Sequence, residues 1–393
     1  MATITKRGDS YRIRVSDGYD IHGKQKMRSM TWTPEPGMSE RQIEKELERQ
    51  KVLFEEKCRG GAGACNIKFE AFSKRWFREY AEKQLRPRTI ALMHGLEERT
   101  YQAIGHLRMD KITALQIQSF IHNLAEPGIN KKTNGGLSPK TQGHYLTFIS
   151  DVFNYAVQMD LLKDNPARRV KIAKGEPKEK DIYTIEEAQK FLDHLEEEPL
   201  RLQAFCVLAI YGGFRRAEIL GLEWKDVDFD KSVVTIRRTS QYTKELGIFT
   251  DTTKTKGSQR SLKLPAGVME ILRKYKLEQS KKRLSLGDQW HNTDRLFTRW
   301  NGLPIGTSSF SKWIAAYCKK IGLRYLGIHS FRHLNASLLI YNGVDIRTVS
   351  ASLGHSQTST TLNIYAHTIA QAQAEGAEAI AEALPLKSSQ KSS

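Results

Sequence analysis

The stretch Gly212-Gly213-Phe214-Arg215-Arg216-Ala217-Glu218-Ile219-Leu220-Gly221-Leu222-Glu223-Trp224-Lys225-Asp226 closes the most apolar run of the chain, Phe205–Phe214, with a pair of glycines and a pair of arginines. A helix holding Glu218 and Leu222 is expected to begin beside Arg215, in a mostly apolar setting. An arginine there needs a buried partner, either a structural carboxylate or an anion drawn from solvent. Two clusters lie downstream. In His329-Ser330-Phe331-Arg332-His333, the first histidine and the arginine are three apart and share a face if the segment is helical. If both are charged they repel, and an anion between them makes sense of the pairing. In Leu353-Gly354-His355, Gly354 reads as the end of a helix, and a polar turn then leads to Tyr365. Each cluster alone has an ordinary explanation. A His-x-x-Arg occurs by chance, and a tyrosine such as Tyr365 is most often core.

Together the clusters supply two arginines, two histidines and a tyrosine, a set suited to nucleophilic attack on a phosphodiester. Guanidinium forks neutralise the non-bridging oxygens as their charge grows. A tyrosine hydroxyl can form a covalent phosphoester that conserves bond energy for rejoining. Histidine exchanges protons with the attacking and leaving oxygens. No Asp/Glu cluster suggests a two-metal site, so the expected cations are protein side chains, with no metal and no cofactor.

Outward from these clusters, the chain divides by pattern. Thr3–Lys6, Tyr11–Val15 and Lys26–Thr33 read as three strands, the second alternating apolar and basic residues. Ser39 with Gln42 caps a charged helix running to about Cys58. Arg12, Arg14, Lys24, Lys26 and Arg28 are candidate phosphate or groove contacts; the alternative is a solvated basic face. Arg59–Ala64 is a Gly-rich linker. Phe69, Phe72, Trp76 and Tyr80 then recur at helical spacing, a stripe better read as core than as a base-stacking platform. Further helices open at Arg86-Pro87, Thr113 (with Gln116) and Ser138-Pro139. The last is expected to run to Leu162, with Asn165-Pro166 ending it. Lys131, Lys132 and Lys140 make this region basic. Ala167–Asp181 reads as a connection between domains, and Thr184 with Glu187 caps the next helix. Strands are expected at Val233–Arg238, Ile248–Thr252 and Arg260–Leu264, an Ala/Glu-rich helix at Thr368–Leu384, and a disordered tail beyond. The expected fold class is multidomain, mainly α with small β-sheets (α+β). Its parts are residues 1–60, a helical domain 66–170, a mixed domain 180–384 and the tail 385–393.

Composition narrows the class. The chain has 393 residues, 62 Lys plus Arg against 44 Asp plus Glu, and a formal net charge of +18. With a pI near 9.6 this favours a polyanionic partner, nucleic acid first, over a merely basic soluble enzyme. Mean hydropathy is −0.52, no apolar run is long enough for a membrane helix, and the first residues lack a signal-peptide core. Cys58, Cys65, Cys206 and Cys318 form no CxxC pair. Reduced thiols in a cytoplasmic protein are the expectation.

At this point the motifs are recognisable. Gly-Phe-Arg-x-x-Glu-Ile-Leu-x-Leu-x-Trp-x-Asp, His329-x-x-Arg332-His333, and Leu353-Gly354-His355 followed ten residues on by Tyr365 resemble the tyrosine recombinase (phage integrase) family over about residues 66–384. Residues 1–60 are more loosely similar to the arm-binding domains of phage-type and conjugative-transposon integrases. The resemblance implies that Arg215 and Arg332 clamp the scissile phosphate. Tyr365 would attack it, leaving a 3′-phosphotyrosine and a free 5′-hydroxyl. His329 would act in proton transfer, and His355 would donate to a phosphate oxygen. It implies a hairpin lysine that protonates the leaving oxygen, assigned to Lys254 with Lys256 as the alternative. Glu218 and Asp226 would orient and stabilise. Arg216, where relatives often carry an apolar or small residue, is either a second phosphate contact or a surface or structural residue, the latter preferred. The helical and catalytic domains would clamp opposite faces of double-stranded DNA. A tetramer would form through the C-terminal helix, with an excision factor and a host DNA-bending protein as further partners. The expected activity is integration and excision of a mobile element through a Holliday junction, without metal or ATP. A chromosome-dimer resolvase is the rival enzyme, disfavoured by residues 1–60. A regulator that lost catalysis is disfavoured by the intact motifs.

Overall fold

The computed structural model describes residues 2–19, 25–59, 66–173, 175, 181–252, 259–355, 357–359, 361–362, 365 and 383–384. They divide into two compact units, 1–177 and 178–393.

The first unit opens with an antiparallel sheet of β1 (Thr3–Arg7), β2 (Ser10–Tyr19) and β3 (Gln25–Trp32), in that spatial order. Register sorts its side chains. Arg12 lies opposite Thr5 and Thr31, and Arg14 opposite Thr3 and Ser29, so these face one way. Ile13 and Val15 are buried on the other face, where α1 (Glu40–Arg59) packs against β2 and β3. Arg28 pairs with Val15 and therefore lies on the face opposite Arg12 and Arg14. The period-2 rule explains this: residues directly opposite on adjacent strands share a face. The Gln42 side chain accepts from the Ser39 amide at 2.9 Å, as its spacing predicts.

Helices fill the rest of this unit. α2 (Phe69–Trp76) runs on through a π-helical turn, Phe77–Ala81. α3 (Pro87–Thr100), α4 (Ala114–Asn123) and α5 (Pro139–Gln158) follow. Phe69, Phe72 and Trp76 are buried among Ile117, Phe148, Val152 and Phe153, which makes the aromatic stripe core. Its fourth member, Tyr80, is half-buried at the edge. Thr113 and Gln116 form a full capping box, and the Ser138 side chain caps α5 with Pro139 in its first turn. α5 ends at Gln158, short of the expected Leu162, because Asp160 takes a left-handed φ of 55° that no helix continues through. Asn165 instead caps a separate turn, Pro166–Arg169.

The second unit is built around α7 (Leu200–Tyr211), which follows α6 (Ile185–Asp193). Eight of its residues are buried, from Leu202 to Ile210, so it is the apolar centre rather than an amphipathic surface helix. Phe205 stacks on Phe310 of α10 (Ser309–Lys320), and Tyr275 of α9 (Ala266–Leu286) closes the same core. β4 (Val227–Asp228), β5 (Val233–Ile236) and β8 (Arg260–Lys263) form one sheet, while β6 (Arg238–Thr243) and β7 (Gly247–Thr252) form a separate hairpin. The expected single strand to Arg238 is thus broken at Arg237. Arg237 and Arg238 both reach the buried Asp226, and this shared carboxylate holds the break between the sheets. α11 (Ile328–Tyr341) and α12 (Ile346–Leu353) complete the described fold. The proposed C-terminal helix and tail lie outside the described residues, apart from Ala383 and Leu384.

Candidate active site

The site grows from the glycines after α7. Gly213 has φ 56°, and a Cβ there would sit 2.7 Å from Asn335 Oδ1. Asn335, on α11, donates to the carbonyls of Ile210 and Tyr211 and so satisfies the open end of α7. The tight turn delivers Arg215 to the N-cap of a four-residue helix, α8 (Arg216–Ile219). That helix is shorter than expected, and Leu222 lies beyond it.

Glu218 organises the basic groups. It accepts from the Arg215 amide and Nη1, each at 2.8 Å, and from Arg260 Nη2 at 2.8 Å. Burial raises its pKa, but the hydrogen bonds and charges of Arg260 and Arg215 outweigh that and hold it low. The carboxylate is thus ionised and shared by two arginines. Arg332, fully buried on α11, makes no ion pair among the described residues. It donates to the carbonyls of Gly213 at 2.7 Å and Leu353 at 2.5 Å.

Three arginines converge on the C-terminal end of α12. Arg260 Nε donates to Ser352 O at 2.6 Å, Arg332 to Leu353 O, and Arg215 Nη2 to Gly354 O at 3.2 Å. Cations suit the negative end of a helix dipole, and the unpaired carbonyls there need donors. Gly354 ends the helix with a left-handed φ of 65°, as expected, and any side chain on it would strike Arg260 Nη1 at 2.7 Å. Burial, with the repulsion of Arg215 next, pulls the Arg332 guanidinium well below the usual arginine value. Three guanidiniums meet here with one carboxylate, which pairs with Arg215 and Arg260 only, so positive charge is in excess and the arrangement can accept an anion.

Around this cluster lie the remaining groups. Tyr365 is buried, and its hydroxyl lies 2.8 Å from His333 Nδ1. Burial raises the phenol to about 12, against the lowering charge of Arg332. His333 meets His329 edge to face, with centroids 4.8 Å apart; His329 itself is exposed. His355 Nδ1 sits 2.7 Å from Thr361 Oγ1. Burial first, then Arg332 and Arg215, push His355 down to about 4, so its imidazole is neutral at pH 7.

The structure therefore brings Arg215, Arg332, His355 and Tyr365 into one cluster, with His329 at its edge. Lys254 and Lys256 lie outside the described residues. Sequence reading singled out neither His333 nor Arg260. His333 is one turn from His329 and next to Arg332, which was the available signal. Arg260 opens the strand expected at Arg260–Leu264, four residues after Lys256. Elsewhere, Arg12, Arg14 and Arg28 lie on the N-terminal sheet, the Lys26 side chain is outside the description, and Lys140 is exposed in the first turn of α5. Among the described residues no group of His, Cys, Asp or Glu is arranged to hold a metal ion, and no helix is long and apolar enough to cross a membrane.

Residues 182–372 match the phage integrase family, and residues 74–172 match the phage integrase SAM-like domain. The chain belongs to the phage integrase family of tyrosine recombinases. A XerC-like tyrosine recombinase of Caldanaerobacter subterraneus subsp. tengcongensis is 28% identical over 94% of this chain and 95% of its own length. The Tn1549 transposon integrase, solved in complex with transposon right-end DNA, covers 81% of this chain and 100% of that one, with TM-score 0.66 and 19% identity. A lambda integrase tetramer bound to a Holliday junction covers 90% of this chain and 96% of that one, with TM-score 0.53 and 15% identity. These likenesses carry the multidomain α+β fold. As a tyrosine recombinase this family member is an enzyme acting on DNA.

Proposed function

We propose that this integrase integrates and excises a mobile element by breaking and rejoining double-stranded DNA through a 3′-phosphotyrosine at Tyr365. The observation that carries the reading is the convergence of Arg215, Arg260 and Arg332 on one helix end, the first two also held by Glu218, beside a tyrosine whose hydroxyl meets a histidine. Arg215 and Arg332 clamp the scissile phosphate, and the buried setting strengthens their hold on developing charge. Arg260 orients Arg215 through Glu218. Tyr365 Oη forms a bond to phosphorus as the bond to the 5′-oxygen breaks. The phenol proton passes to His333, with His329 against that ring, and His355 donates to a non-bridging oxygen. Lys254 (Lys256 being the alternative) protonates the departing 5′-oxygen. The phosphotyrosine conserves the energy of the broken bond, so rejoining needs neither ATP nor a metal.

Exchange of two strand pairs passes through a Holliday junction, in a tetramer joined by the C-terminal segment. The Arg12/Arg14 face of the N-terminal sheet reads arm sites, and Lys140 of the helical domain contacts core-site DNA. An excision factor and a host DNA-bending protein set direction, and the reaction takes place in the cytoplasm. Covalent trapping tests the central step: a nicked duplex from the element's end is mixed with wild type and with Tyr365→Phe, then run on a denaturing gel. A protein–DNA band from wild type alone is expected. A band from Tyr365→Phe would remove Tyr365 as nucleophile.

A further inference from the structure

Arg216 is a basic residue beside Arg215 that the proposed reaction leaves unused. It begins α8 one position after Arg215, so the two Cα atoms are about 3.8 Å apart, yet their side chains part. Arg215 turns to Glu218 and Gly354, whereas Arg216 Nη1 donates to Ser311 Oγ on α10 at 3.1 Å. Among the described residues no carboxylate lies within ion-pair distance of Arg216. It lines a cavity of about 360 Å³ with Ser311, Tyr325, Gly327, Ile328 and His329. The lining holds a guanidinium, two hydroxyls and an imidazole but no acid. His329 is shared ground, since its ring also touches His333, the partner of Tyr365. The cavity thus adjoins the nucleophile's surroundings without being part of the arginine cluster.

We propose that Arg216, assisted by Ser311, seats the DNA phosphate next to the scissile one. A guanidinium with a spare fork and no acid nearby is a ready phosphate donor. Consecutive arginines that diverge from one turn can address consecutive phosphates of a strand. This seat makes Arg216 a backbone-positioning contact that sets register on the strand and carries no base information. The inference rests on the phosphodiester reading of the site.

The test is a double-mutant cycle between protein and DNA. Duplexes from the element's end carry one neutral methylphosphonate, on either the 5′ or the 3′ side of the cleavage position mapped with the unmodified duplex. Wild type, Arg216→Ala and Arg216→Gln are compared for binding and for adduct rate, with thermal melts as the check on folding. Arg216→Gln preserves a donor to Ser311 while removing the charge, so it reports even if Arg216→Ala fails to fold. The expected result is a loss of about tenfold in wild-type affinity at one flanking position. Each Arg216 variant should show a similar loss on unmodified DNA and little further loss on that modified duplex. Losses that multiply at both positions would overturn the proposal. Absence of any adduct from wild type on unmodified DNA would instead strike the phosphotyrosine reading, and the binding arm of the cycle, with the family's cleavage position inferred by footprinting, would still judge Arg216.

Discussion

Two arginine clusters in this chain place the same side chain in opposite settings. On the N-terminal sheet, Arg12 and Arg14 stand on an open face, and Arg12 is depressed chiefly by the nearby charge of Arg14. In the second unit, Arg260 and Arg332 are almost wholly withdrawn from solvent and fixed by Glu218 and by backbone carbonyls. An exposed cluster in high dielectric gives salt-sensitive attraction to any polyanion. A buried, oriented cluster costs desolvation in advance and acts on charge at one point in space. The lesson is that arginine count measures affinity, while burial and fixed partners measure chemistry.

The strongest way to break this contrast is Tyr365→Phe, which should abolish covalent adduct while leaving DNA binding close to wild type by gel shift. Next comes Arg332→Ala. Loss of a preoriented donor to developing charge should lower single-turnover cleavage by about 10²–10³-fold, with a much smaller change in affinity. Equal losses in both would place Arg332 among the merely attractive cations. Glu218→Ala should then cost about 3–5 kcal/mol in urea unfolding, because it strips the buried carboxylate from Arg215 and Arg260. A cost under about 1 kcal/mol, as for an exposed pair, would mean the cluster is not held as described.

The exposed side of the contrast is gentler. Replacing Arg12 and Arg14 together by alanine should reduce the slope of log affinity against log salt by about 2 at arm sites and leave core cleavage intact. Loss of core cleavage would give the sheet a different task. The smallest effect concerns pH. His355 titrates near 4 when folded and near 6.5 when unfolded, so the unfolded chain binds more protons between those values. Its contribution to stability is complete above about pH 6.5 and is lost as pH falls toward 4. His355→Gln should flatten the melting temperature over that window, and an unchanged slope would mean His355 titrates normally.

Much of this was legible beforehand where the cause is local. The capping boxes at Thr113 and Thr184, the cap at Ser138 and the glycine stop at Gly354 depend on residues within a turn of one another. The Phe69, Phe72, Trp76 stripe follows from helical period alone. The set of Arg215, Arg332, His355 and Tyr365 was assembled from its chemistry, and the family resemblance added a role for each residue. Their spacing in the chain says nothing of their meeting in space. The break at Arg237 was hidden because it depends on the distant Asp226, and the early end of α5 rests on one left-handed residue, Asp160.

By itself the sequence determined the basic balance, the helical stripes, the caps and the set of arginines, histidines and tyrosine proposed to act on a phosphate. Tertiary structure decided which of them meet. Strand pairing assigned Arg12 and Arg14 to one face and Arg28 to the other. Tertiary packing put His333, rather than His329, against Tyr365 and brought Arg260 of β8 to Glu218 of α8 across 42 positions. Such contacts arise from side-chain shape and burial summed over distant segments, and no local propensity encodes them.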